Sequence, residues 1–300
     1  MKDYVTPLRY PGGKSKLAEF MMEVFILNDL IGGHYVETYA GGASIAFNLL
    51  IKGYAEHVHI NDLNKSVYSF WYSVVHETEN LCRLINDTPV NMEQWYKQKT
   101  IQLQPEKHTD LMLGFSTFFL NRTNRSGILT GGVIGGKKQD GDWLLDARFN
   151  KPALISRIER IAGFKNKITL YNDDAADIIT KVIPGLPKKT LIYLDPPYYV
   201  KGRELYQDAY KHEDHVAVAD LVASMQRKWI VSYDDMPAIR TLYKKFNKIS
   251  YKLGYSAKNV YKGSEVIFYS DGLILPKTKD PTKVRVTKKI AGLTIHPVRL

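Results

Sequence analysis

"TLIYLDPPYYVKG", residues 190–202, sets five residues of buried-strand character before an acid, two prolines and two tyrosines. An apolar run bounded by proline reads as a core strand ending at Asp195. Pro196 and Pro197 preset φ and remove two backbone donors, so the chain leaves the strand stiff, with Asp195 held in place and carbonyl acceptors left over. Four further segments have the same form: "HYVET" (34–38), "HVHIND" (57–62), "KITLYNDD" (167–174) and "KWIVSYDD" (228–235). Each precedes a helix-patterned stretch, and this alternation predicts an α/β fold with a mostly parallel sheet covered by helices on both faces. Ligands of such sheets bind beyond the carboxyl ends of the strands. Glu37, Asp62, Asp173 and Asp195 are therefore expected along one edge.

Two late segments, "KISYKLGYSA" (248–257) and "SEVIFYS" (264–270), alternate like half-buried strands and predict an antiparallel hairpin closing the sheet. Residues 66–150 break the alternation with aromatic helical pieces and then the glycine-rich, basic stretch "NRTNRSGILTGGVIGGKKQDGDW", which reads as an insertion. The expected organisation is a discontinuous domain of residues 1–65 and 151–275, the insertion at 66–150, and a basic, loosely ordered tail over 276–300.

Three hundred residues, 44% of them hydrophobic, are enough for a sizeable core. The formal charge of +11 favours a polyanionic partner such as nucleic acid. Cys82 is the only cysteine, which leaves no internal disulfide and no multi-thiolate metal site and fits a reducing compartment. No run approaches the ~20 apolar residues of a membrane span, so a cytoplasmic protein that binds no membrane and no metal is expected.

"YVETYAGGASIAFNLL" (35–50) places Gly41 and Gly42 between a strand and a helix, where small residues permit a tight turn and close approach of a ligand. It is neither a dinucleotide fingerprint nor a phosphate loop. Glu37 at the strand end would repel phosphate, so a ligand with an ammonium group fits better. Asp62 ends the next strand, a place from which a carboxylate reaches ribose hydroxyls or caps a turn. "RYPGGKSKL" (9–17) adds a second glycine pair followed by Lys14, an incomplete phosphate loop or a turn leading into a first helix.

An exocyclic amine on a nucleobase is a poor nucleophile, because its lone pair is conjugated into the ring. Two acceptors aimed at its N–H groups, the Asp195 carboxylate and the Pro196 carbonyl, would favour the tetrahedral nitrogen that forms as a bond is made. Tyr198 offers an aromatic face for the ring.

Taken together, "DPPY", "YPGGK" and "ETYAGG" closely resemble the Dam-like (D12) class of DNA adenine N6-methyltransferases, from about Arg9 to Ser270. The resemblance implies a methyltransferase sheet, S-adenosylmethionine as cofactor and double-stranded DNA as partner. It assigns Tyr10, Lys14, Ala40 and Gly41 to the cofactor and Asp62 to its ribose. Asp195 would lie near both the methionine moiety and the base, with Pro196 and Tyr198 completing the catalytic pocket. Target recognition would begin near "FFLNRTNRSGIL" (118–129). The sequence departs from the family's GATC-reading pattern after this segment, so no GATC target is carried over. The reading is of a site-specific enzyme that flips adenine from the duplex and transfers the methyl by direct in-line attack. Arg122, Arg125, Lys137 and Lys138 are the expected phosphate contacts. Cytosine N4 methylation, methylation of a protein glutamine amide, and a DNA-binding regulator with a retained cofactor fold stay open beside it. A monomer is the default, since flipping one base needs one site.

Overall fold

Every segment read as a strand forms one. The computed structural model describes residues 5–9, 14–199, 210–253 and 263–286. Its strands are β1 (Gly33–Glu37), β2 (Ala55–Asn61), β3 (Ile168–Tyr171), β4 (Thr190–Leu194), β5 (Lys228–Asp234), β6 (Asn247–Leu253) and β7 (Gly263–Tyr269). They form one sheet in the order β3-β2-β1-β4-β5-β7-β6. The first five are parallel, and β7 runs antiparallel to both β5 and β6. The expected closing hairpin is therefore present, while most of its predicted connecting loop lies outside the described residues.

β4 is buried at all five positions, as a central strand covered on both faces must be. One face, carrying Tyr35, Val58, Leu191 and Tyr193, shares a single core with α1 (Ala18–Leu27), α2 (Ser44–Ile51), α3 (Lys65–His76), α4 (Thr78–Asp87), α5 (Met92–Gln102), α6 (Asp110–Thr123) and α7 (Lys151–Ala162), in which α2 and α3 meet the strands and α4 to α7 pack on other helices. The other face, carrying Val36, Ile192 and Val231, packs on α8 (Ala175–Asp177) with the π turn that continues it, on α9 (His212–Ser224) and on α10 (Pro237–Leu242).

Side-chain caps set several helix starts by satisfying amides that have no intrahelical partner. Asn64 accepts from the amides of Ser66 and Val67, Asn91 from Gln94, Thr109 from Met112, and Asn150 from Ala153. Within residues 66–150 the helices share the core of α2: Trp71 lies 4.8 Å from Phe47 between ring centroids, and Phe70 stacks on Phe118. Among the described residues no helix is long and apolar enough to cross a membrane.

One expectation is corrected. Residues 276–286 are seated on the body of the protein instead of loosely ordered, while residues 287–300 of the expected tail lie outside the described residues. Pro281 is buried, Val284 and Val286 pack on the main core, and the Val286 amide donates to Glu19 Oε2 at 3.2 Å. Three apolar anchors among lysines and threonines are too sparse to register as a periodic pattern.

A histidine cluster crosses β1 and β2. His34 Nδ1 lies 3.0 Å from His59 Nε2, and His57 stacks on His34 and lies tilted against His59. Burial and the two neighbouring imidazoles pull His59 down to about 3, so the native state holds it neutral where an unfolded chain would protonate it at about 6.5. Stability contributed by the neutral ring is thus complete above pH 6.5 and is lost as pH falls from there toward 3. Urea midpoints should drop between pH 7 and pH 5, and His59→Gln should remove much of that drop. An identical drop in the variant would refute the assignment.

Candidate active site

The strand order reverses between β1 and β4, which are hydrogen-bonded neighbours with Glu37 paired to Tyr193. In open α/β sheets this switch point is where the loops diverge and leave a crevice. A cleft of about 1240 Å³ opens there, lined by residues that include Lys14, Glu37, Gly41, Asp62, Asp195 and Pro197. It exceeds the ~300–1,000 Å³ common for one small ligand, which leaves room for more than one.

Asp195 sits at the rim of this cleft with 21% of its side chain exposed. Its Oδ1 accepts from the Ser232 hydroxyl at 2.6 Å and pairs with Lys14 Nζ at 3.0 Å, while Oδ2 has no hydrogen bond among the described residues. Lys14 is buried and also lies 3.4 Å from Glu265 Oε1. Glu265 in turn accepts from Tyr198 at 2.8 Å and from Tyr251 at 2.6 Å. Burial by itself would lower the lysine, but the two carboxylates outweigh it and hold Lys14 well above its ordinary value, so it stays a cation. Burial raises Asp195, and Lys14 with Ser232 restrains the rise.

Beside this network, Glu37 is buried, with Oε1 accepting from the Tyr35 hydroxyl at 3.3 Å and Oε2 without a hydrogen bond among the described residues. Burial pushes its carboxyl well above the usual range; the Tyr35 bond opposes this, the Asp195 charge adds to it, and the Ala46 amide at the start of α2 draws it slightly down. A buried carboxylate oxygen without a partner suits a ligand cation that would complete it.

The glycine turn is pinned from both sides. Gly41 has φ +47°, a left-handed conformation that favours glycine. Its amide donates to Asp62 Oδ2 at 2.8 Å, and its carbonyl accepts from Trp71 Nε1 at 2.8 Å. Asp62 Oδ1 meanwhile accepts from the Asn64 amide at 3.0 Å. Asp62 thus ties the end of β2 to the turn after β1.

A family model described as D12 class N6 adenine-specific DNA methyltransferase matches residues 10–256, most of the chain. The chain belongs to that family. No curated protein matches it by sequence. Among solved structures, it is similar to the crystal structure of a candidate RNA methyltransferase from Pyrococcus horikoshii, with a TM-score of 0.42 and 11% identity over 87% of this chain and 85% of that one. The D12 family implies use of S-adenosylmethionine and a DNA substrate, and the orphaned Glu37 oxygen beside a pinned glycine turn fits a cofactor that carries an ammonium group.

Several expected positions of this D12 chain converge on the cleft: Lys14, Glu37, Ala40, Gly41, Asp62, Asp195 and Arg122 line it. Pro196 and Tyr198 are buried behind the lining, where the Tyr198 hydroxyl is tied to Glu265 and its ring lies under Lys14 Nζ at 5.0 Å. Tyr10 lies outside the described residues. Arg125, Lys137 and Lys138 are exposed and are not part of the cleft lining.

Sequence reasoning missed Glu265, Ser232 and the arginines that gather around Arg122. Arg122 donates through Nε to the Arg148 carbonyl at 2.7 Å and through Nη1 to the Pro7 carbonyl at 3.2 Å. Burial, together with Arg9, Arg157 and Arg148, pulls it down to about 9. All four arginines line the cleft, and a polyanion entering there would relieve their mutual repulsion.

Proposed function

We propose that this D12-class enzyme methylates N6 of an adenine at a specific site in double-stranded DNA, with the target base flipped out of the helix into the cleft between β1 and β4. The observation that carries this reading is the state of Asp195: Oδ1 is occupied by Lys14 and Ser232, and Oδ2 has no hydrogen bond among the described residues, at the mouth of the cleft. That oxygen can accept one N–H of the adenine amine. The Pro196 carbonyl accepts the other, which localises the lone pair as the nitrogen becomes tetrahedral. S-adenosylmethionine, when bound, would supply a sulfonium methyl open to in-line attack by that amine, the methyl–sulfur bond breaking to leave a neutral thioether. Asp195 Oδ2, already holding one N–H, is placed to take the proton the methylated nitrogen sheds. Tyr198, fixed by Glu265 and lying under Lys14, backs the wall of the base pocket from behind the lining.

Glu37 holds the cofactor's ammonium, Gly41 and Ala40 allow its close approach, and Asp62 serves its ribose while fixing the turn. Residues 66–150 form the target-recognition region on the catalytic body of residues 1–65 and 151–275. There Arg122, with Arg9, Arg148 and Arg157, receives DNA phosphates, and the exposed Arg125, Lys137 and Lys138 extend the basic surface. Plasmid DNA from cells expressing the protein, sequenced for methylated positions, should show N6-methyladenine confined to one short recurring sequence. Unmodified adenines throughout, or modification without sequence preference, would overturn this reading.

The raised Glu37 carboxyl gives a linkage prediction. Its burial lets Glu37 keep the proton at a pH where an ordinary carboxyl has lost it, whereas a bound ammonium favours the ionised form. S-adenosylmethionine binding should therefore release a proton, and affinity should rise with pH up to the raised value. Calorimetry in two buffers of different ionisation enthalpy would show unequal heats, and Glu37→Gln should equalise them. Equal heats for the unaltered protein would remove Glu37 from the cofactor site.

A further inference from the structure

The family match ends at residue 256, yet residues 276–300 carry seven Lys or Arg against one Asp, six of the chain's eleven net positive charges. Part of this extension is built into the cleft wall. Asn28 fastens its approach by accepting from the Ile274 amide at 2.9 Å and donating to the Ile274 carbonyl at 2.7 Å. Asp280 then caps a short turn by accepting from the Thr282 amide at 3.0 Å and hydroxyl at 2.6 Å. Pro281, Val284 and Val286 seat the turn on the core, and Glu19 on α1 receives the Val286 amide. Between these anchors Thr282, Lys283 and Arg285 face the cleft, in a lining that also includes the exposed Lys16 and Lys52.

We propose that this strap, residues 276–286, is a second DNA-contacting element that presents Lys283 and Arg285 to the phosphate backbone at the cleft mouth. The inference rests on the DNA-methylating reading above and adds to it a surface beyond the family-matched region. Both side chains are available for that role. Lys283 is 81% exposed and its pairing with Asp280 at 3.3 Å is a surface ion pair of the kind that contributes little. Arg285 donates to its neighbour's carbonyl at 2.8 Å and makes no ion pair among the described residues. The anchoring matters, because cations on a fixed strap meet phosphates without first losing backbone freedom. Glu19 is the one acid beside them in the lining apart from Glu37, Asp62 and Asp195, and its bond to the strap backbone engages part of its charge.

The test compares the unaltered protein with Lys283→Ala/Arg285→Ala in titrations of duplex DNA across a series of salt concentrations. Each lost phosphate contact makes the slope of log K against log salt shallower by about 0.9. The double variant should therefore lose close to two units of slope and roughly 50-fold in affinity near 0.1 M salt. S-adenosylmethionine affinity and kcat at saturating DNA should not change, and Lys283→Arg/Arg285→Lys should restore the slope. An unaltered slope in the double variant, with steep salt dependence in the parent, would overturn the proposal and leave the proposed function standing. Absence of salt-dependent DNA binding by the parent would instead overturn both.

Discussion

Asp195→Ala is expected to lower kcat for methyl transfer by about 10²–10³-fold, the range seen when one preorganised partner of a developing charge is removed. The fold should survive, because Lys14 keeps Glu265 at 3.4 Å and is not left as an unpaired buried cation. Asp195→Asn should lose nearly as much, since its amide keeps the shape while removing the charge that draws on the amine. In the unaltered enzyme, kcat should fall as pH drops through the Asp195 carboxyl, on the high side of the ordinary range because burial raises it. Thermal melting shows whether either variant is folded, and tritium counting in DNA gives the rate. Retained activity in a folded Asp195→Ala protein would remove Asp195 from the chemistry.

Glu265→Gln carries the second large effect. Lys14 shares its charge between two carboxylates, so the trio keeps a net negative charge that Asp195 can present to the cleft. Without the Glu265 charge, Lys14 neutralises Asp195 more fully, and its bond to the amine falls from the charge-assisted range toward that of neutral groups. The difference, about 1–2 kcal/mol, corresponds to roughly tenfold in kcat. Glu265 acts through Lys14 and Tyr198 as a positioning residue, so kcat should fall while S-adenosylmethionine affinity holds. Glu265→Ala is harsher, because it also strips the buried hydroxyls of Tyr198 and Tyr251 of their acceptor and should reduce stability. A Glu265→Gln enzyme with unchanged kcat would contradict the role.

These two residues differ in how far the sequence exposes them. Asp195 was legible because a strand, an acid and two prolines stand consecutively, and each has a local physical meaning. The same holds for the strand ends at Glu37 and Asp62 and for the glycine turn between β1 and α2, where spacing alone fixes position. Glu265 hides in "SEVIFYS", where an acid at an alternating position reads as a solvent-facing side chain. Only the hairpin register, which sets Glu265 opposite Tyr251 and Asp234, turns it inward, and Lys14 is 251 residues away in the chain. A faint signal was available: Tyr251 and Glu265 lie on the two strands that the pattern already paired.

The arginine cluster was illegible for a related reason. Arg9, Arg122, Arg148 and Arg157 come from four separate stretches, and no local pattern distinguishes a cation beside other cations from one on a solvated surface. The strap failed to register because its lysines suggested solvation while the core contacts of Pro281, Val284 and Val286 depend on where α1 lies. Local chemistry therefore marks the strand-end acid and the glycine turn. Long-range pairing is needed for the groups that surround that acid and for the arginine cluster and strap proposed to meet DNA.

The most direct measurement incubates purified protein with duplex DNA and S-adenosylmethionine labelled in its methyl group, then digests the DNA to nucleosides and separates them. Label should appear in N6-methyl-2′-deoxyadenosine alone, in a reaction that Asp195→Ala slows by about 10²–10³-fold. Label in N4-methyl-2′-deoxycytidine, or no transfer by a protein that binds both ligands, would contradict methylation at adenine N6.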